Sequence, residues 1–116
     1  MSSKSQDFSE GLAAFHASNY AKAFAILRPF ADQGEPEAQC IIGSLYQFGW
    51  GVQKDIQEAI RWYIRSSEQG YGVASNNLGT IFMVGDVGIP MDREAAKRWY
   101  QKAGEQGFSH SPKQQA

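Results

Sequence analysis

Arg61-Trp62-Tyr63-Ile64-Arg65-Ser66-Ser67-Glu68-Gln69-Gly70 and Arg98-Trp99-Tyr100-Gln101-Lys102-Ala103-Gly104-Glu105-Gln106-Gly107 are two versions of one segment. Each opens on Arg-Trp-Tyr and closes on Glu-Gln-Gly, and the two lie 37 residues apart. Tryptophan is rare, so two Trp-Tyr pairs in matching frames point to an internal repeat. A period of this length is the signature of stacked helical hairpins.

Working outward, the copies stay in phase through Ala59 and Ala96 and through Asp55 and Asp92. Before the preceding loop the offset becomes 36, pairing Ala38 with Ala74, Gly43 with Gly79, Tyr46 with Phe82 and Gly49 with Gly85. One residue has entered the second loop, where Gly-Trp-Gly-Val becomes Gly-Asp-Val-Gly-Ile. Such an insertion is tolerated between helices because it leaves the stacked faces in register. A weaker third copy comes first: Asn19, Ala23, Asp32, Gln33 and Gly34 stand 36 residues before Asp55, Ala59, Glu68, Gln69 and Gly70. Three hairpins meet the number a repeat array needs for stability.

Local signals place the helices. Ile56, Ala59, Ile60, Tyr63 and Ile64 follow the i, i+3, i+4, i+7 spacing of one buried face. Asp55 and Asp92 stand where N-caps are wanted, with Glu58 positioned to close a capping box after Asp55. Gly34, Gly70 and Gly107 fall where left-handed residues would end the second helix of each hairpin. Pro36 suits a first helical turn. The pattern predicts an all-α chain with helices over 6–17, 20–33, 36–48, 55–69, 73–84 and 92–106. The repeat domain spans 6–107, with repeats of about 6–34, 35–70 and 71–107. Segment 1–5 is expected to be disordered and 108–116 to be a flexible tail. Gly43 and Gly79 fall inside helices, where glycine costs about 1 kcal/mol against alanine, so close packing by an aromatic residue of the second helix is expected there.

Composition narrows the function. The chain has 116 residues, enough for one compact unit, 42% apolar and 20% charged residues, and a formal net charge of −1. Its lysines and arginines are scattered, without the basic stripe that nucleic-acid binding needs. No apolar run approaches the roughly 18–20 residues of a membrane span, and the N-terminal segment has no apolar core of a secretion signal. A cytoplasmic location is the expectation. Cys40 is the single cysteine, so no intrachain disulfide can form. His16 and His110 have no ligand-spaced neighbours, so no metal is expected, and no nucleophile–base motif or phosphate loop is present. The chain reads as a non-enzyme without a cofactor. Arg61, Arg65, Lys97, Arg98 and Lys102, with Glu58, Glu68, Glu94 and Glu105, read as a solvated face of the second helices. Trp62, Tyr63, Trp99 and Tyr100 read as packing residues.

The repeat resembles the Sel-one-like repeat family, relatives of the tetratricopeptide repeats. Its pattern is met by Ala38, Ile42, Gly43, Tyr46, Gly49, Gly51, Val52, Asp55, Ala59, Trp62, Tyr63, Gln69 and Gly70. Ala74, Leu78, Gly79, Phe82, Gly85, Asp92, Ala96, Trp99, Tyr100, Gln106 and Gly107 meet it again. Ser66, Ser67 and Gly104 depart from it, standing where alanines are usual. The resemblance covers about residues 8–107 and implies an α-solenoid of three hairpins, a right-handed superhelix that serves as adaptor or scaffold for another protein.

The inner groove of tetratricopeptide hairpins, carried over by the frames of Gly11, Gly43 and Gly79, implies a partner-binding set. It comprises Phe8, Leu12, Phe15 and His16; Glu37, Cys40, Ser44, Gln47 and Phe48; and Val73, Asn76, Thr80, Met83 and Val84. Phe8, Leu12, Phe48, Met83 and Val84 would supply apolar contact, while Gln47 and Asn76 would bond to a partner's backbone. Two other readings stay open: an immunity protein neutralising a cognate bacterial effector, and a structural scaffold that self-associates as a homodimer through its terminal helices.

Overall fold

Six α-helices of 13 residues each succeed one another: α1 Lys4–His16, α2 Tyr20–Asp32, α3 Pro36–Phe48, α4 Ile56–Glu68, α5 Gly72–Val84 and α6 Arg93–Glu105. They form an all-α fold of repeating hairpins. The structure, a computed structural model, describes residues 4–108, with side chains from Asp7 onward. His110 and most of the expected tail lie outside the described residues. Observed helix ends fall within two residues of those the pattern predicts. The largest difference is at α1, which begins at Lys4, so residues 4 and 5 of the expected disordered segment are helical.

One backbone hydrogen bond recurs in all three hairpins. The amide of the residue before the second helix donates to a carbonyl near the end of the first: Asn19 to Ala14 at 2.8 Å, Asp55 to Tyr46 at 2.9 Å and Asp92 to Phe82 at 2.8 Å. Ala14, Tyr46 and Phe82 each lie three residues beyond a glycine of the repeat, Gly11, Gly43 and Gly79. The bond therefore closes loops of three different lengths at the same two points, which is why the inserted residue in the last loop disturbs nothing else.

The same bond corrects the expected capping box. Asp55 accepts from the Glu58 amide at 3.0 Å, as an N-cap should. Its own amide is already given to Tyr46, so Glu58 does not reach back; it turns to Arg61 instead, 3.2 Å from Nε. Asp92 caps α6 through the Ala95 amide at 3.0 Å. Asn19 makes no side-chain cap bond.

Each second helix ends the same way. Gly34, Gly70 and Gly107 take φ of 101°, 91° and 92°. Their amides bond three residues back, to Ala31, Ser67 and Gly104, and the next amides bond five back, from Glu35 to Phe30, Tyr71 to Ser66 and Phe108 to Ala103. This paired pattern is the Schellman motif, which needs a residue at positive φ where a side chain would be strained.

Contacts divide the chain into two compact units, Met1–Trp62 and Tyr63–Ala116, with the boundary inside α4. In the first, α2 packs against both α1 and α3. Its core joins Ala14, Leu27, Ala31, Ile41, Ile42, Leu45 and Trp62. Burying each of the larger side chains contributes about 1.5–3 kcal/mol. Gln39, also buried, ties α3 to α2 by donating from Nε2 to the Ala31 carbonyl at 3.1 Å. In the second unit α5 lies on α6. A Cβ on Gly79 would stand 2.7 Å from the Tyr100 ring, as one on Gly11 would stand 2.5 Å from Leu27. The close aromatic approach expected at Gly79 is present, and Leu27, at the repeat position of Tyr100, makes an aliphatic counterpart of it at Gly11.

Ser67 and Ser75 are buried in the second unit. Their hydroxyls lie 2.6 Å apart, Ser75 donates to Gln106 Oε1 at 2.5 Å, and Gln106 Nε2 donates to the Ser67 carbonyl at 3.0 Å. Because the Ser75 proton goes to Gln106, Ser67 donates to Ser75. The departure from alanine at 67 is thus answered by a closed polar circuit linking α4, α5 and the end of α6.

Candidate functional site

Six of the seven large apolar side chains exposed among the described residues lie at the end of a first helix or in the loop after it. They are Phe48 and Trp50 in the first unit and Met83, Val84, Val87 and Met91 in the second; Val73 is the seventh. Phe48, 52% exposed, and Val84, 73% exposed, hold the same repeat position, each the last residue of its helix. His16, the counterpart in α1, is exposed as well. The folded core leaves these positions in water in every hairpin, because the chain turns away from the helix axis immediately after them.

In the first unit this edge is aromatic. Trp50 is sandwiched between Phe48, at 4.7 Å, and Tyr20, at 4.8 Å. Tyr20 meets the edge of Phe15 at 6.0 Å, and Phe15 meets His16 at 5.6 Å. Five rings from α1, α2, α3 and the following loop thus run in one ladder, with rigid faces and few rotatable bonds. Gly51 seats the loop on α2: a Cβ there would fall 2.7 Å from the Ala21 amide nitrogen. In the second unit the longer loop forms a tight turn, Asp86 and Ile89 exchanging two backbone bonds of 2.8 and 2.9 Å, and lifts Val87 to 88% exposure.

The other members of the expected binding set sit differently. Cys40 is 4% exposed and belongs to the buried side of α3, so it offers a partner no surface. Phe8, Leu12 and Phe15 are half-buried against the first unit's core, Phe8 meeting the edge of Phe30 at 5.3 Å. Ser44 donates to the Cys40 carbonyl at 3.2 Å. Thr80 donates to the Asn76 carbonyl at 3.2 Å and lies 3.0 Å from the Tyr100 hydroxyl, which therefore donates to it. Glu37, Gln47 and Asn76 are half-buried. Trp50, Val87 and Met91 are the residues that sequence reasoning passed over. The signal for Trp50 was available: the repeat accounts for Gly49 and Gly51 but places no aromatic residue between them.

Charged groups lie on the surface of the second helices. Arg28 pairs with Asp32 at 3.1 Å while lying 5.9 Å from the Phe24 ring and 5.2 Å from the Trp62 ring. The hydrogen bond to Asp32 holds its guanidinium above the usual pKa against the opposing effect of desolvation. Lys102 lies over Trp99 at 5.2 Å. Among the described residues no group of three His, Cys, Asp or Glu side chains could hold a metal ion, and no helix is long and apolar enough to cross a membrane.

Comparison with known proteins matches this geometry to one family. The family model described as Sel1 repeat covers residues 8–35, 36–71 and 72–108, which are the three hairpins. Chitin synthase regulatory factor 3 of Schizosaccharomyces pombe is 33% identical over 69 residues, covering 59% of this chain and 7% of that protein. A Sel1 repeat protein from Oxalobacter formigenes superposes with a TM-score of 0.78 at 37% identity, over 86% of this chain and 39% of that one. A protective antigen present in uropathogenic Escherichia coli strains, with the SLR fold, also gives 0.78, at 31% identity over 90% of this chain and 23% of that one. The chain therefore spans well under half the length of these relatives.

Proposed function

The chain belongs to the Sel1 repeat family, whose hairpins serve as protein–protein interaction scaffolds, and on that premise we propose that it is a non-catalytic module binding a segment of another protein at its first-helix ends. The observation that carries this reading is that each unit exposes apolar side chains at the same repeat-equivalent position, Phe48 and Trp50 in the first and Met83, Val84, Val87 and Met91 in the second. Scattered surface hydrophobics are ordinary, whereas a gathered set rich in aromatic and methionine side chains favours association. The role is that of an adaptor or regulator. The aromatic ladder is preorganised, so a partner would meet it without ordering new side chains.

Affinity capture from the source cell's lysate, compared between wild type and Phe48→Asp, tests this reading. Phe48 is exposed, so the variant should keep its helicity and melting temperature. A protein retained by wild type should be lost by Phe48→Asp, and its purified form should bind the variant about tenfold or more weakly, as removal of an interface anchor requires. Equal retention by both proteins would remove the edge from consideration.

A further inference from the structure

A groove of about 380 Å³ between α1 and α2 is lined by Asp7, Glu10, Ala25, Ile26, Pro29, Phe30 and Gln33. The repeat itself shows what such a surface holds. Asp7 and Glu10 occupy the positions of Gln39 and Ile42 in the next hairpin, and Ile26 that of Trp62. In that hairpin the surface is covered by a helix, α2: Gln39 Nε2 bonds to the Ala31 carbonyl, Ile42 is fully buried, and the Arg28 guanidinium lies 5.2 Å over Trp62.

The first hairpin keeps the shape of that seat and changes its chemistry. Its floor is Ile26, Pro29 and Phe30. Its rim carries carboxylates where the second hairpin has an amide and an isoleucine. Pro29, inside α2, has no amide hydrogen to give the Ala25 carbonyl four residues back, and Ala25 lines the same groove. The groove's polar groups are thus weighted toward acceptors, two of them anionic, with no basic side chain among its lining residues. A helix like α2 would present its Ala31 carbonyl to Asp7, acceptor against acceptor.

We propose that this groove docks an amphipathic α-helix of another protein that carries lysine or arginine beside its apolar stripe. The cation would meet Glu10, Asp7 and the Ala25 carbonyl, and the stripe would cover Ile26 and Phe30. A second copy of the chain fits less well. In α6 the positions of Arg28 and Ala31, which touch the seat, are held by Gln101 and Gly104, neither of them basic, while Arg93, Lys97, Arg98 and Lys102 stand at the positions of Tyr20, Phe24, Ala25 and Pro29. This surface is separate from the first-helix edge proposed above.

The test uses the full chain and a fluorescent, hydrocarbon-stapled helix of roughly 15 residues, with leucines on one i, i+3, i+4, i+7 stripe and lysines flanking it. A matched helix with glutamates in place of the lysines is the control. The lysine helix should bind, and its affinity should fall as salt is raised from about 50 mM to about 500 mM. Glu10→Lys should weaken it about tenfold or more, and Glu10→Gln by a smaller factor. Pro29→Ala, which restores the amide and is expected to melt higher, should weaken it about threefold. Phe48→Asp should bind it as wild type does, which keeps the two surfaces apart. Equal binding of both helices, or affinity within about twofold in Glu10→Lys, would overturn the proposal. So would self-association of wild type that Glu10→Lys abolishes while neither helix binds.

Discussion

Gly79 is the residue on which the second unit's packing turns. The Tyr100 ring occupies the space a side chain would need, at 2.7 Å from an added Cβ. Gly79→Ala gains helix propensity of about 1 kcal/mol, but the displaced ring should cost about 1–3 kcal/mol, so the variant is expected to unfold at lower urea. Adding Tyr100→Ala to Gly79→Ala should remove the clash, so the two effects will not add. The serine circuit makes a second prediction at this scale. Ser75 both accepts and donates, so Ser75→Ala should destabilise by about 1–3 kcal/mol. Ser67→Ala leaves the Ser75–Gln106 bond in place and should cost less. Denaturant midpoints of the two variants check the order, and equal midpoints would contradict the assigned donor direction.

At the scale of the element, the three joints between first and second helices share a backbone bond but differ in their caps. Asp55 and Asp92 each accept an amide hydrogen bond of 3.0 Å, while the Asn19 side chain caps nothing. Asp55→Ala and Asp92→Ala are each expected to cost about 0.5–2 kcal/mol, and Asn19→Ala less than either. Thermal melts of the three variants measure this directly. Pattern-reading located these caps from Asp55, Asp92 and the helix-ending glycines, since capping is set within four residues. It misassigned Glu58, because the bond that occupies the Asp55 amide comes from Tyr46, nine residues away and folded back by the loop.

For the molecule as a whole, the buried side chains among the described residues are mostly apolar. Net charge is −1, and the pairs Arg28–Asp32 and Arg61–Glu58 lie at the surface. Raising salt from about 50 mM to about 500 mM should therefore move Tm by less than about 4 °C. The lysine-helix affinity described above should fall over the same range, so one salt series separates folding from binding. A large loss of Tm would mean that the surface charges carry more of the stability than their exposure suggests.

The sequence by itself determined the helices, their ends and the repeat. Those features are written in short-range signals: apolar period, capping residues, glycines at positive φ, and recurrence of the Arg-Trp-Tyr frame. Only the tertiary structure decided which of the expected contact residues stay in water. Phe8, Leu12 and Cys40 share the first-helix positions that a binding groove would use, yet packing of α2 against both α1 and α3 draws the first two onto a core, and Cys40 is buried on α3. Phe48 and Val84 remain exposed because they end their helices, beyond the reach of the next layer. Trp50 acquired its meaning only when folding stacked it between Phe48, two residues before it, and Tyr20, thirty residues before it. Burial is a sum over neighbours distant along the chain, so a local pattern can name the face but not how much of it remains open.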